Sequence, residues 1–327
     1  VDIGKAHVKA ASIGIDIGGT KTLGVMLSEQ GNLLAQLRFP TPPGSVEIVE
    51  LVLSIYSELS GEIDNDVQLS CLGIGVAGLV DTTGEIYHAP NLVNADGLRI
   101  RELIASKVDV PVHVDNDANC AALAEIRLGA AKDIGNALVV TLGTGIGGAV
   151  VVNGTVFRGG FGLAGEPGHM LVDPNGIRCA CGANGCWESY ASGTGLRNLA
   201  VRRAEVGELQ DVVKGLGGRH EGITGELISQ AASGGDKEAI AVVDEYAKWV
   251  AIGLANCAAL LDPEMIVLGG GIVGSWGLFG PRICGVFDGF LIGSEQRSSV
   301  LIKPAKMGEA AGAVGASLLG TVRGAAQ

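Results

Sequence analysis

With 327 residues, 47% of them hydrophobic, the chain exceeds what one compact core usually holds and suits two lobes, and this composition excludes a disordered or fibrous protein. Twenty-three Lys and Arg against 35 Asp and Glu leave a formal charge of −12, an acidic balance that repels phosphate backbones and argues against a nucleic-acid partner. No apolar run reaches membrane-spanning length, since the longest, at 137–152, is broken by Thr141 and several glycines; Val1-Asp2-Ile3-Gly4-Lys5 carries no signal-peptide core, so a cytoplasmic protein without a membrane partner is expected.

In chain order, residues 12–17 read as an apolar strand, Gly18-Gly19-Thr20-Lys21 as a turn, 22–27 as a second strand, 28–32 as a polar turn and 33–39 as a third strand. Helical spacing follows at 47–59, a buried strand at 69–76 ended by Ala77-Gly78, a helix at 98–107, a short strand at 111–114 and a helix from Asp117 to 128. The opening pattern then recurs. Residues 137–142 form a strand, 143–148 a glycine turn, 149–152 a returning strand, Asn153-Gly154 a polar turn and 155–157 a third strand. Two such units predict duplicated lobes. Helices are expected at 226–232 and 237–261, a strand at 265–268 running into Gly269-Gly270-Gly271, and a small-residue helix at 309–319; the Gly-rich stretch 206–224 reads as a connection between helices.

Two stretches fit G-x-G-x-x-G, at Gly73/Gly75/Gly78 and Gly143/Gly145/Gly148. A dinucleotide fingerprint must pass from strand into helix. The first runs into a polar turn and the second back into a strand, which excludes a dehydrogenase. The absence of G-x-x-x-x-G-K-[ST] excludes a P-loop enzyme. Glycine hairpin turns still bind phosphate through bare backbone N–H groups. Asp16 before the first turn is placed to hold the water shell of Mg²⁺, and Lys21 after it to neutralise phosphate.

Val114-Asp115-Asn116-Asp117-Ala118-Asn119 sits at a strand-to-helix junction. Asp117 reads either as a helix N-cap or as the carboxylate that accepts a proton from an attacking hydroxyl. Asp115 alternates to the other side and receives no role. Of seven cysteines, Cys71, Cys120, Cys257 and Cys284 are scattered in apolar surroundings and read as small core residues. Cys179-x-Cys181-x4-Cys186, with His169 ten residues upstream of the first, supplies three thiolates and an imidazole. That donor set matches four-coordinate structural Zn²⁺.

Asp16-x-Gly18-Gly19-Thr20-Lys21, Leu142-Gly143-Thr144-Gly145 and Gly269-Gly270-Gly271 resemble the three nucleotide elements of the sugar kinase–actin–Hsp70 superfamily. Cys179-x-Cys181-Gly182-x-x-Gly185-Cys186-x-Glu188 resembles, more narrowly, the signature of the ROK family of repressors, open reading frames and kinases. The likeness extends from about residue 12 to 319. It implies an α/β chain of two lobes with the duplicated actin/Hsp70/hexokinase-like (ribonuclease H-like) fold and an interlobe cleft for ATP and sugar. The expected lobes are 1–120 with 311–327, and 121–310 with the zinc-binding loop.

The resemblance makes Asp117 the base, Asn116 the holder of a neighbouring hydroxyl, and Gly78, Asn91, Glu166, His169 and Glu188 sugar contacts. ATP then belongs to the three glycine elements, with Gly269-Gly270-Gly271 favouring ATP over polyphosphate. The segments around Phe161-Gly162 and Cys186-Trp187-Glu188 are most similar to actinobacterial-type glucokinases. The implied activity is therefore phosphorylation of glucose at its 6-hydroxyl by a dimeric or tetrameric enzyme. Another hexose, an N-acetyl-hexosamine or a non-catalytic sugar sensor are the alternatives. The family's repressors carry a helix-turn-helix ahead of the first glycine turn, and the fifteen residues before Asp16 are too few for one.

Overall fold

The computed structural model describes residues 9–63 and 67–321; the stretch 1–5, read above against a signal peptide, lies outside them. The chain divides into two compact units. The first contains residues up to 133, 154–164 and those from 306 on, and the second 134–153 and 165–305. The expected division at 120 falls inside a helix that stays whole within the first unit, and the expected return at 311 comes instead at 306.

The first unit opens with three antiparallel strands, β1 (Lys9–Ile17), β2 (Lys21–Ser28) and β3 (Leu33–Pro40), followed by α1 (Ser45–Gly61). Next come β4 (Val67–Val76), a small hairpin of β5 (Leu79–Val80) and β6 (Ile86–His88), α2 (Ile100–Ala105), β7 (Val112–Asn116) and α3 (Asp117–Arg127). The sheet order is β3-β2-β1-β4-β7, with β4 parallel to β1 and β7 parallel to β4. Alternate residues Ile13, Ile15 and Ile17 of β1 enter the same core as Ile48, Val52, Ile55 and Leu59 of α1. The spacing of that α1 stripe is the amphipathic helix period, which explains why this region is legible from pattern alone.

The second unit begins with the hairpin β8 (Ala137–Leu142) and β9 (Ile146–Val152); the short strand β10 (Thr155–Phe157) belongs to the excursion that returns to the first unit. The helices α4 (Glu188–Ala191), α5 (Gly193–Glu205), α6 (Gln210–Gly215), α7 (Gly225–Ser233) and α8 (Lys237–Leu261) follow, then β11 (Met265–Gly270), α9 (Trp276–Phe287) and β12 (Leu301–Pro304). Strands β9-β8-β11-β12 are neighbours in that order, β8 and β9 antiparallel, β11 and β12 joined in parallel. This repeats the β2-β1-β4-β7 arrangement of the first unit, so the duplication expected from the two glycine turns is present in the topology. Helix α10 (Ala311–Ser317) and a 3-10 turn at Leu319–Thr321 close the described chain, in the first unit.

Three details depart from expectation. Gly147 and Gly148 are ladder residues of β9, opposite Thr141 and Val140, rather than part of the turn. The 206–224 stretch contains the short helix α6. Helices α5 and α9 and strand β12 were not anticipated at all. Among the described residues, no helix is long and apolar enough to cross a membrane.

Candidate active site

In the first unit, β1 and β7 deliver Asp16 and the Asp115–Asp117 segment through the shared neighbour β4. Asn116 is the N-cap of α3. Its Oδ1 accepts from the backbone N–H groups of Ala118 at 2.8 Å and Asn119 at 3.0 Å, and its Nδ2 donates to the Gly78 carbonyl at 3.0 Å. The cap is therefore one residue earlier than the reading that gave it to Asp117. Asn116 has little polar capacity left for a ligand, essentially one amide hydrogen. Asp117 stands at the first helical position, where the helix N-terminus favours a carboxylate, and its Oδ1 accepts from the Ala118 N–H at 2.8 Å. Burial pushes its pKa up to about 6, with backbone hydrogen bonds from Ala118 and its own N–H opposing the rise.

Asp16 is pushed further, to about 7, first by burial and then by the nearby Asp117 charge, with Lys21 pulling the other way. Its Oδ1 is buried with no hydrogen-bond partner in the protein, an exception to the rule that buried polar atoms are paired. A Cβ on Gly312 of α10 would lie 2.6 Å from the Asp16 Cγ, so the carboxylate is seated on a residue without a side chain. The Gly18-to-Lys21 hairpin turn closes with a Gly18 N–H to Lys21 carbonyl bond of 3.0 Å, and Thr41 braces it by donating its hydroxyl to the Gly18 carbonyl at 2.6 Å. Lys21 forms an exposed ion pair with Glu309 at 2.9 Å. Asn91 is exposed and packs against Gly19.

Asp115 has a structural place. Its Oδ2 accepts from Arg158 Nε at 2.7 Å and pairs with Nη2 at 2.6 Å, while Oδ1 accepts from Asn119 Nδ2 at 2.8 Å and the Asn116 N–H at 2.9 Å. This buried pair anchors the strand end that carries Asn116 and Asp117. Arg158→Ala leaves the carboxylate buried without its cation, and urea denaturation should show a loss of about 3 kcal/mol; an unchanged midpoint would remove this anchoring role.

In the second unit a cavity of about 740 Å³ opens beside the second glycine turn. Gly143 and Thr144 line it, as does Gly271 at the end of β11. Gly269 and Gly270 lie in the β11 ladder opposite Thr141 and Leu142 and hold the turn rather than the cavity wall. Residues that the sequence reading missed complete the lining: Thr194 and Arg197 of α5, Glu226 and Gln230 one turn apart on α7, and the aromatic floor Tyr246 and Phe279. The buried Tyr246 and Phe279 rings meet edge to face at 5.5 Å. Only the i, i+4 spacing of Glu226 and Gln230 on a short helix was a signal available in advance.

His169, Cys179, Cys181 and Cys186 converge, with one ligand atom from each within 4.8 Å of every other. Cys181 and Cys186 sulfurs are 3.5 Å apart, and His169 Nδ1 is 3.9 Å from the Cys179 sulfur. A tetrahedral Zn²⁺ with bonds of about 2.3 Å to sulfur spaces its ligands by roughly 3.8 Å, so the donor set and its dimensions fit that ion. Burial, then the neighbouring sulfurs, raises the Cys186 thiol to about 12, the behaviour of a cluster whose negative charge needs a cation. The adjacent Glu188 opens α4, and its Oε2 accepts from the Ile146 N–H at 2.7 Å. Glu166 precedes the turn Pro167–His169, whose His169 N–H donates to the Glu166 carbonyl at 3.2 Å.

Comparison with known proteins gives a consistent answer. The sequence model of the ROK family matches residues 12–322. A glucokinase of Streptomyces coelicolor is 37% identical over 94% of this chain and 96% of its own length. An N-acetyl-D-glucosamine kinase of Shigella boydii is 32% identical over 79% of this chain and 83% of its own. Among solved structures, a ROK family glucokinase from Streptomyces griseus, in complex with glucose and AMPPNP, superposes with a TM-score of 0.82 at 38% identity, covering 94% of this chain and 98% of that one.

Proposed function

Because the chain belongs to the ROK family, we propose that it is a sugar kinase that transfers the γ-phosphoryl group of ATP to the 6-hydroxyl of glucose. The observation that carries this reading is the Asp117 carboxylate, freed from helix capping by Asn116 and tuned by burial toward neutral pH. A general base works best when its pKa lies near the operating pH. Asp117 takes the proton of the sugar 6-hydroxyl as that oxygen bonds to the γ-phosphorus. The bond to the β–γ bridging oxygen breaks, and ADP leaves.

The cavity of the second unit takes the nucleotide, with Gly143, Thr144 and Gly271 against its phosphates and adenosine and Gly145, Gly269 and Gly270 shaping the turns that carry them. In the first unit, Gly18, Gly19 and Thr20 offer backbone N–H groups to phosphate. Asp16 would hold the hydrated Mg²⁺ that neutralises phosphate charge, a role that its unpartnered Oδ1 suits. Lys21 exchanges Glu309 for phosphate, since an exposed ion pair of this kind is worth little. For the sugar hydroxyls the first unit offers Gly78, Asn91 and Asn116, and the second offers His169 with Glu166 and Glu188, whose carboxylates are strong acceptors.

Cys179, Cys181, Cys186 and His169 Nδ1 would hold Zn²⁺ as a set of four protein ligands, and the bound ion would supply rigidity rather than Lewis acidity. The imidazole's other nitrogen then faces the sugar. Cys181→Ala should lose metal and sugar affinity together, measured by metal analysis and glucose titration on one sample; normal glucose affinity in metal-free protein would break that link.

A second reading, an N-acetyl-hexosamine kinase, is favoured by the likeness to the Shigella boydii enzyme. In either case we place the enzyme in the cytoplasm, as a homo-oligomer that feeds sugar into glycolysis. A formal charge of −12 and the unbridged Cys179, Cys181 and Cys186 support a cytoplasmic setting. A coupled ADP-release assay over a panel of hexoses and their acetamido derivatives, with zinc determined on the same sample, tests the function. Turnover strictly dependent on glucose is expected. Sugar-independent ATP hydrolysis, or none, would reject a sugar kinase, and a preference for the acetamido sugar would select the second reading.

A further inference from the structure

The tip of the β8–β9 hairpin is not held by the hairpin alone. Three of its backbone groups are bonded to the segment directly after the metal cluster. The Ile146 N–H donates to Glu188 Oε2 at 2.7 Å, the Gly193 N–H donates to the Gly143 carbonyl at 2.7 Å, and the Thr194 hydroxyl donates to the Thr144 carbonyl at 2.7 Å. A Cβ at position 145 would overlap Glu188 Oε2, so glycine there is what lets the carboxylate reach the loop. Glu188 is two residues beyond Cys186, and its other oxygen is 3.9 Å from the Cys179 sulfur. The intervening Trp187 is fully buried, with its indole N–H donating to the Trp249 carbonyl at 2.7 Å. Gly143, Thr144, Gly193 and Thr194 all line the cavity.

We propose that Glu188 is a positioning residue for the Gly143-to-Ile146 loop, and that through it the metal cluster sets nucleotide affinity even when no sugar is bound. The inference rests on the reading that this cavity takes ATP. A carboxylate accepting a backbone N–H is a charge-assisted bond. Without it the Ile146 N–H is left unpaired and the turn keeps two of its three ties, so part of the loop's ordering falls at the moment of nucleotide binding. The metal then matters to both substrates: to sugar through His169, and to nucleotide through the step from Cys186 to Glu188.

The test is calorimetric titration of Mg²⁺–AMPPNP in the absence of sugar. The samples are the metal-loaded protein, the same protein stripped by a chelator, and the variants Glu188→Ala, Glu188→Gln and Thr194→Val, with metal content and circular dichroism recorded for each. Affinity should fall about ten-fold in the stripped protein and in Glu188→Ala, and by a smaller factor in Thr194→Val, which keeps the side-chain shape. Glu188→Gln retains an acceptor oxygen and should hold AMPPNP within about three-fold of the parent while still weakening glucose. A residue that served sugar alone would not produce that split. If Glu188→Ala does not fold, the stripped protein and Thr194→Val decide the matter. Unchanged AMPPNP affinity in these samples overturns the positioning role and leaves the ATP pocket standing; a metal-loaded parent that does not bind AMPPNP overturns both.

Discussion

Asp117→Asn should bind glucose as the parent does and turn it over on the order of a thousand-fold more slowly, the scale on which general-base catalysis works. The amide keeps the size of the carboxylate and an oxygen to accept from the Ala118 N–H, 2.8 Å away in the parent, so the start of α3 is preserved. What disappears is the group able to take a proton. In the parent, kcat should fall as pH drops through about 6, where this carboxylate becomes protonated.

Stability moves in the opposite direction. Asp16 and Asp117 both have folded-state pKa values above their ordinary carboxylate range, so their ionised forms oppose folding. Stability therefore falls as pH rises from the unfolded pKa through the folded ones. Removing one charge should leave the melting temperature of Asp117→Asn at or above that of the parent at pH 8, with the difference closing toward pH 5, where both parent carboxyls are protonated. Turnover within about ten-fold of the parent, or loss of glucose binding alongside loss of rate, would remove Asp117 from the role of base.

The second large effect lies away from the chemistry. Helix α10 touches its neighbours backbone to backbone. A Cβ on Gly315 would coincide with the Cys120 carbonyl of α3, and Cβ atoms on Gly14 of β1 and Gly73 of β4 would collide with the α10 carbonyls of Ala313 and Ala316. Gly315→Ala adds a single methyl group, but the atom it meets is main chain and cannot rotate away. We expect a loss of about 3 kcal/mol or more, at the upper end of overpacking costs, measured by urea denaturation or seen as insoluble expression. Gly285→Ala is the control. It is exposed on α9 with nothing within 4 Å of the added carbon, and should stabilise by roughly 0.5–1 kcal/mol through helix propensity. Equal effects at the two positions would refute close packing as the reason for the small-residue helix.

These examples show what pattern conveys and what it does not. β1 and β2 announce themselves as continuous apolar runs buried on both faces, β3 by alternation, and α1 and the long α8 by apolar residues at the helical period. The convergence of His169, Cys179, Cys181 and Cys186 was legible because cysteine and histidine have few other reasons to cluster. The offset of one residue between Asn116 and Asp117 was not, since either residue caps a helix and only the direction of the chain leaving β7 decides which does. Arg158 as the partner of Asp115 needs two segments 43 residues apart to meet. Helix α5 was missed because it opens Gly-Thr-Gly and continues with three arginines among its apolar residues. Its start is secured by Ser192, whose Oγ accepts from the Gly195 N–H at 3.0 Å, a device visible only once the helix is known. The cavity wall came from four separate elements with no shared motif.

The burial of Trp187 has a practical consequence for anyone who unfolds this protein. All three tryptophans, at 187, 249 and 276, lie in the second unit, and the first has its indole sealed beside Cys186. Tryptophan emission therefore reports on one half of the molecule, while the half that bears Asp16 and Asp117 has only the weaker emitters Tyr56 and Tyr87. A denaturation curve followed by fluorescence alone would pass as a single transition even if that half had melted earlier.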